Sequence, residues 1–81
     1  MSRRDKLLGR FLEVPSDLTW EELSAVLRLF GYVQSKGKGS RRKFHADGCP
    51  LISLHEPHPR NIVKRYVIRE IVAKLKEADL L

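Results

Sequence analysis

Between Trp20 and Phe30 the apolar residues Trp20, Leu23, Leu27 and Phe30 recur at the spacing of one helix face. Thr19-Trp-Glu-Glu22 opens this run as a capping box, in which the threonine hydroxyl accepts from the Glu22 amide and Glu22 reaches back to the cap's own amide. Leu18 and Leu23 fit the accompanying apolar staple, and Gly31 suits the left-handed position past a helix end. The pattern predicts a helix over about 19–30. Upstream, Leu7, Leu8, Phe11 and Leu12 lie on one side of a further short helix over 3–13. Gly9 weakens it, and Pro15 ends it by disfavouring helical geometry at Val14. Near the other end, Val67, Ile68, Ile71, Val72 and Leu75 give a core face to a helix that starts between Asn61 and Arg65 and runs to about Ala78. Glu70 and Lys74 form a favourable i,i+4 pair on its flank.

Between these helices the period changes to two. Tyr32 to Gln34 is β-prone, Ser35-Lys-Gly-Lys-Gly-Ser40 is a turn-rich connector, and Arg41 to Ala46 alternates. Phe44 and Ala46 fall on one face of that strand, with Arg41, Lys43 and His45 on the other. Asp47-Gly48 signals a hairpin, and Leu51 to Leu54 alternates again, with Ile52 and Leu54 together. A two-residue Asp-Gly turn would set Ile52 and Leu54 beside Lys43 and Arg41. A three-residue loop, Asp47-Gly48-Cys49, pairs Phe44 with Ile52 and keeps one face apolar, so it is the register expected. It sets His55 across from Arg41, and it leaves Arg42 awkwardly on the apolar face opposite Leu54. His55-Glu-Pro-His-Pro59 is a stiff, extended connector, because its prolines exclude regular structure.

The element order is thus α-β-β-β-α, with an additional short N-terminal helix. The simplest two-layer α+β solution places two helices on one face of a three-stranded antiparallel sheet. Double-stranded RNA-binding domains share that architecture, although architecture does not fix function. Residues 1–15 read as an N-terminal extension and 16–81 as the domain.

Composition narrows the function classes. At 81 residues the chain makes one small core with little room for a deep cleft, so chemistry belongs on a surface or in a shallow groove. Sixteen Lys and Arg against 10 Asp and Glu give a net charge of +6, which favours a polyanionic partner. The single cysteine, Cys49, excludes an intrachain disulfide and suits a reducing compartment. No apolar stretch approaches a signal peptide or a membrane span, so a cytoplasmic location without membrane attachment is expected.

The segment 36–43 concentrates the charge: Lys36, Lys38, Arg41, Arg42 and Lys43 with no acid among them, and glycines that allow close approach to a phosphate. With Ser40 these are the candidate RNA-binding residues; the alternative is a solvated loop made basic for solubility. His45, His55 and His58 are the only histidines. RNA cleavage without metal needs a base for the 2′-hydroxyl proton and an acid for the leaving oxygen, and histidine titrates in the right range for both. A cation at the phosphate stabilises the developing charge. In the expected register Arg41 and His55 have β-carbons about 5 Å apart. His45, four residues along the same strand, lies roughly 13 Å from Arg41. If the chain cleaves RNA, His55 is the candidate proton-transfer group, Arg41 the cation and His58 the reserve. The alternative for both His55 and His58 is a structural role in the proline-rich connector. His55, His58 and Cys49 lack the paired spacing of a zinc site, so neither metal nor small-molecule cofactor is expected.

Leu29-Phe-Gly-Tyr32, then Lys38-Gly-Ser40 entering a strand with Phe44, then the Asp-Gly turn, then His55-Glu-Pro-His-Pro59 and the basic helix Asn61-Ile-Val-Lys-Arg-Tyr-Val-Ile-Arg69 follow one another in an order that resembles HicA toxins. No single motif carries the resemblance; order and spacing do. It implies a double-stranded-RNA-binding-like fold, mRNA as substrate, endoribonuclease activity and a HicB-like antitoxin partner. It also implies a Gly-Ser-His motif whose histidine is catalytic, and here that position is Arg41. Three readings follow: an mRNA-cleaving toxin acting through other residues, a non-catalytic RNA-binding domain of the same fold, and a module that binds only protein.

Overall fold

The computed structural model describes residues 3–81, and its elements run α1 (Arg3–Leu12), α2 (Trp20–Leu29), β1 (Val33–Lys36), β2 (Arg41–His45), β3 (Ile52–His55) and α3 (Arg65–Glu77). The three strands form one antiparallel sheet in the order β1-β2-β3. This is the expected α+β architecture with the additional N-terminal helix in place.

The capping box at α2 is complete. Thr19 Oγ1 accepts from the Glu22 amide at 3.1 Å, and Glu22 Oε1 accepts from the Thr19 amide at 3.1 Å. At the other end the Tyr32 amide donates to the Leu27 carbonyl and the Gly31 amide to that of Arg28, which closes a Schellman motif. Gly31 supplies the left-handed residue this requires, at φ +87. The same pair of bonds ends α3, from Leu80 to Leu75 and from Asp79 to Lys76, but there the left-handed residue is Asp79, at φ +58.

The register between β2 and β3 is the expected one: Phe44 faces Ile52, Arg42 faces Leu54 and Arg41 faces His55. The row Gln34–Phe44–Ile52 carries the sheet's apolar face. Phe44 and Ile52 are buried with Leu23, Leu27, Ile68, Ile71 and Leu75 in one core, so α2 and α3 cover that face. Trp20 packs its ring on Phe44, centroids 5.8 Å apart. On the opposite face Arg41, His45, Ser53 and His55 are exposed. The Tyr32 hydroxyl donates to the Pro50 carbonyl at 2.8 Å, and burial raises its pKa.

Several boundaries differ from the sequence expectation. β1 runs on to Lys36, two residues past Gln34, because pairing with β2 continues to Lys36–Arg42. Helix α1 ends at Leu12, and Val14, before Pro15, takes φ +52. Helix α3 starts at Arg65, late in the expected interval, because Asn61–Val63 is engaged elsewhere. Ile62 bridges Thr19, the Val63 amide donates to the Leu18 carbonyl, and the Trp20 amide donates to the Asn61 carbonyl, both at 2.8 Å. Helix α1 packs against α2 with Phe11 fully buried in the common core, and Arg10 pairs with Glu22 at 2.9 Å and Asp17 at 3.0 Å. Among the described residues no helix is long and apolar enough to cross a membrane.

Candidate functional site

Two shallow grooves meet at His55. The smaller, of about 520 Å³, lies on the open face of the sheet and is lined by Gly37, Lys38, Arg41, Lys43 and His55. Antiparallel pairing explains how they come together: directly opposed residues share a face, and every second residue of a strand returns to it. Arg41 and Lys43 therefore stand on the face that carries His55, and the turn between β1 and β2 adds Lys38. Gly37 lies so close to Arg41 that a β-carbon there would come within 3.2 Å of the Arg41 Cβ. The Gly37 amide donates to the Arg41 carbonyl at 2.8 Å, which seats Arg41 at the groove's edge.

The ring of His55 is held from one side. Ser40 Oγ lies 3.3 Å from His55 Nδ1. A hydroxyl can donate to or accept from that nitrogen, so Ser40 orients the ring in either tautomer from the Nδ1 side. Ser40 is itself fixed, since its carbonyl accepts the Glu56 amide at 2.8 Å.

Arg42 alternates to the other face, in the row Lys36–Arg42–Leu54. Its side chain is only 15% exposed and is consumed by the scaffold: Nε pairs with Glu56 at 3.3 Å, and Nη1 donates to the carbonyls of Gly39 and Arg41, each at 2.9 Å. It ties the basic turn to the connector after β3. The awkward position expected for Arg42 is resolved by this ion pair. Lys36 shares that row and does not line the groove. Of the candidate RNA-binding residues the structure thus gathers Lys38, Arg41 and Lys43 at one groove with Ser40 beside them, and sets Lys36 and Arg42 apart. His45 bonds to Ser35, Nε2 to Oγ at 3.2 Å, and lines neither groove.

The larger groove, of about 720 Å³, runs from His55 along the proline-rich connector to the start of α3. His58 lines it, next to a cis peptide bond to Pro59, and so do Trp20, Arg60, Lys64 and Tyr66. The connector is anchored at its near end by Arg42–Glu56 and at its far end by the Asn61–Val63 pairing and an Asn61 to Glu21 hydrogen bond of 2.7 Å. Sequence reasoning missed this groove. Its one legible signal was Tyr66, an aromatic lying off the apolar stripe of α3. Among the described residues no three His, Cys, Asp or Glu side chains cluster as a metal site would.

A protein-family model described as HicA toxin of bacterial toxin-antitoxin matches residues 20–80. The chain belongs to the HicA toxin family. Comparison with curated proteins and with solved structures found no match. Membership places the chain among the toxins of toxin–antitoxin systems, each held by an antitoxin partner. In this HicA-family chain both grooves fall within the matched segment apart from Ser16 and Asp17, whereas α1 lies outside it.

Proposed function

We propose that this toxin is a metal-independent endoribonuclease that cleaves mRNA and is neutralised by a HicB-like antitoxin in the cytoplasm. The observation that carries the reading is the junction at His55, where a ring held by Ser40 stands cross-strand from Arg41 and opens onto a groove lined by Lys38 and Lys43. In the proposed reaction the ribose 2′-oxygen attacks the adjacent phosphorus and the bond to the 5′-oxygen breaks. The products are a 2′,3′-cyclic phosphate and a 5′-hydroxyl. His55 Nε2 takes the 2′-hydroxyl proton, and His58 on the same connector is the second proton-transfer group for the leaving oxygen. Arg41 stabilises the charge on the phosphoryl oxygens. The net charge of +6 also suits an acidic antitoxin surface.

A second reading, RNA binding without cleavage, draws on Arg41, which stands where the family resemblance implies the catalytic histidine. Cleavage of a long RNA in excess chelator by wild type, His55→Ala, His58→Ala and Arg41→Ala separates the two. A fall of about 100-fold or more in His55→Ala is expected for loss of a proton-transfer group. Full activity in that variant removes His55 from catalysis. A wild type that binds RNA without cutting it belongs to the second reading.

A further inference from the structure

Tyr66 is 57% exposed, although the residues that bury α3 are Ile68, Ile71 and Leu75. It stands in the first turn of α3, over the groove whose apolar lining includes Trp20, Pro57 and Ile62. The groove's two acids are already engaged, Asp17 with Arg10 at 3.0 Å and Glu56 with Arg42 at 3.3 Å. Its cations Arg60 and Lys64 form no ion pair among the described residues. An open aromatic face beside uncompensated positive charge suits a planar group carried on an anionic backbone. The groove also runs into the basic one, because His55 lines both.

We propose that this groove is a nucleobase subsite, in which one unpaired base of the bound RNA stacks on the Tyr66 ring. Every base offers a π-face, so such a platform takes bases with little regard to sequence. A base within a duplex has both faces covered by its neighbours, so the subsite selects unpaired RNA even though the fold resembles that of duplex-binding domains. With the base on Tyr66 and the backbone along Arg60 and Lys64, the chain reaches His55 and then the Lys38–Arg41–Lys43 groove. Tyr66 thereby sets which nucleotide is presented to His55. The inference rests on the proposed RNA-directed function and adds the part of the RNA that is gripped.

The test is equilibrium binding, by fluorescence anisotropy, of a short single-stranded RNA, the duplex of the same length, and inorganic polyphosphate, a polyanion without bases. Wild type, Tyr66→Ala, Tyr66→Phe and the double variant Lys38→Gln/Lys43→Gln are compared, with circular dichroism reporting the fold of each. Tyr66→Ala should weaken single-stranded RNA by about tenfold, within the range measured for base–aromatic stacking. It should leave polyphosphate affinity unchanged, and Tyr66→Phe should bind RNA as wild type does. The lysine double variant should weaken single-stranded RNA and polyphosphate alike. A folded Tyr66→Ala protein with undiminished RNA affinity overturns the subsite while the RNA reading stands, and so does a wild type that prefers duplex. A wild type that binds none of the three ligands overturns the RNA reading itself.

Discussion

Arg41 and Arg42 are sequence neighbours with opposite surroundings, because successive strand side chains point to opposite faces. The first lines a groove with His55, and the second is held by Glu56 and two carbonyls. Glu22 is another residue whose neighbours define it. The hydrogen bond from Arg10 holds its carboxyl below the ordinary glutamate range; burial opposes this in part, and the Thr19 amide adds a smaller lowering. A carboxyl lowered on folding contributes stability that is fully present above its unfolded value, about pH 4.3, and is lost as pH falls through the folded value. Urea midpoints of wild type and Glu22→Gln should therefore differ at pH 7 and converge in acid below that range. Equal midpoints at pH 7 would show that the ion pair contributes nothing, as many part-exposed pairs do.

Helices α2 and α3 end in the same hydrogen-bond motif with different residues at its left-handed position. Gly31 adopts φ +87 freely, whereas Asp79 at φ +58 carries a β-carbon and sets a negative charge against the negative end of the helix. Asp79→Gly should raise stability by about 1 kcal/mol, measured by chemical denaturation. A loss of stability would mean that the Asp79 side chain makes a contribution that outweighs its backbone strain. Helix α1 raises a different question, since it precedes the segment that matches the family. Its Phe11 is fully buried in the common core, and α1 packs against α2. Phe11→Ala should cost about 3–5 kcal/mol, the range for removing a core aromatic. A loss under about 1 kcal/mol would show α1 to be a detachable appendage.

For the molecule as a whole the controlling quantity is where the +6 charge lies. Affinity for RNA should fall linearly on a log–log plot against salt, with about 0.7 of slope for each single-strand phosphate contact. Neutralising Lys38 and Lys43 removes two cations from the groove and should flatten that slope by about 1.4, about 0.7 for each lysine, whereas Lys36→Gln should flatten it by less than about 0.7. Lys36 stands in the helix-side row with Arg42, so an equal effect at Lys36 would place the RNA across the sheet edge and not along the groove.

The amino-acid sequence by itself determined the elements whose signals are local. The capping box at Thr19–Glu22 and Gly31 specify both ends of α2 within one turn each, and these hydrogen bonds need no tertiary partner. The β2–β3 register was legible for a similar reason: only one pairing keeps Phe44, Ile52 and Leu54 on a common face, and it carries His55 to Arg41. Tertiary structure decided whatever depends on residues far apart in the chain. Asn61–Val63 pairs with Leu18–Trp20 across some forty residues, and that pairing delays α3 and shapes the groove beneath Tyr66. The assignment of Arg42 to Glu56, the burial of Phe11 and the placing of His58 and Tyr66 along one groove belong to the same class. Each requires two elements to be docked before the contact exists, and no periodicity within either element encodes it.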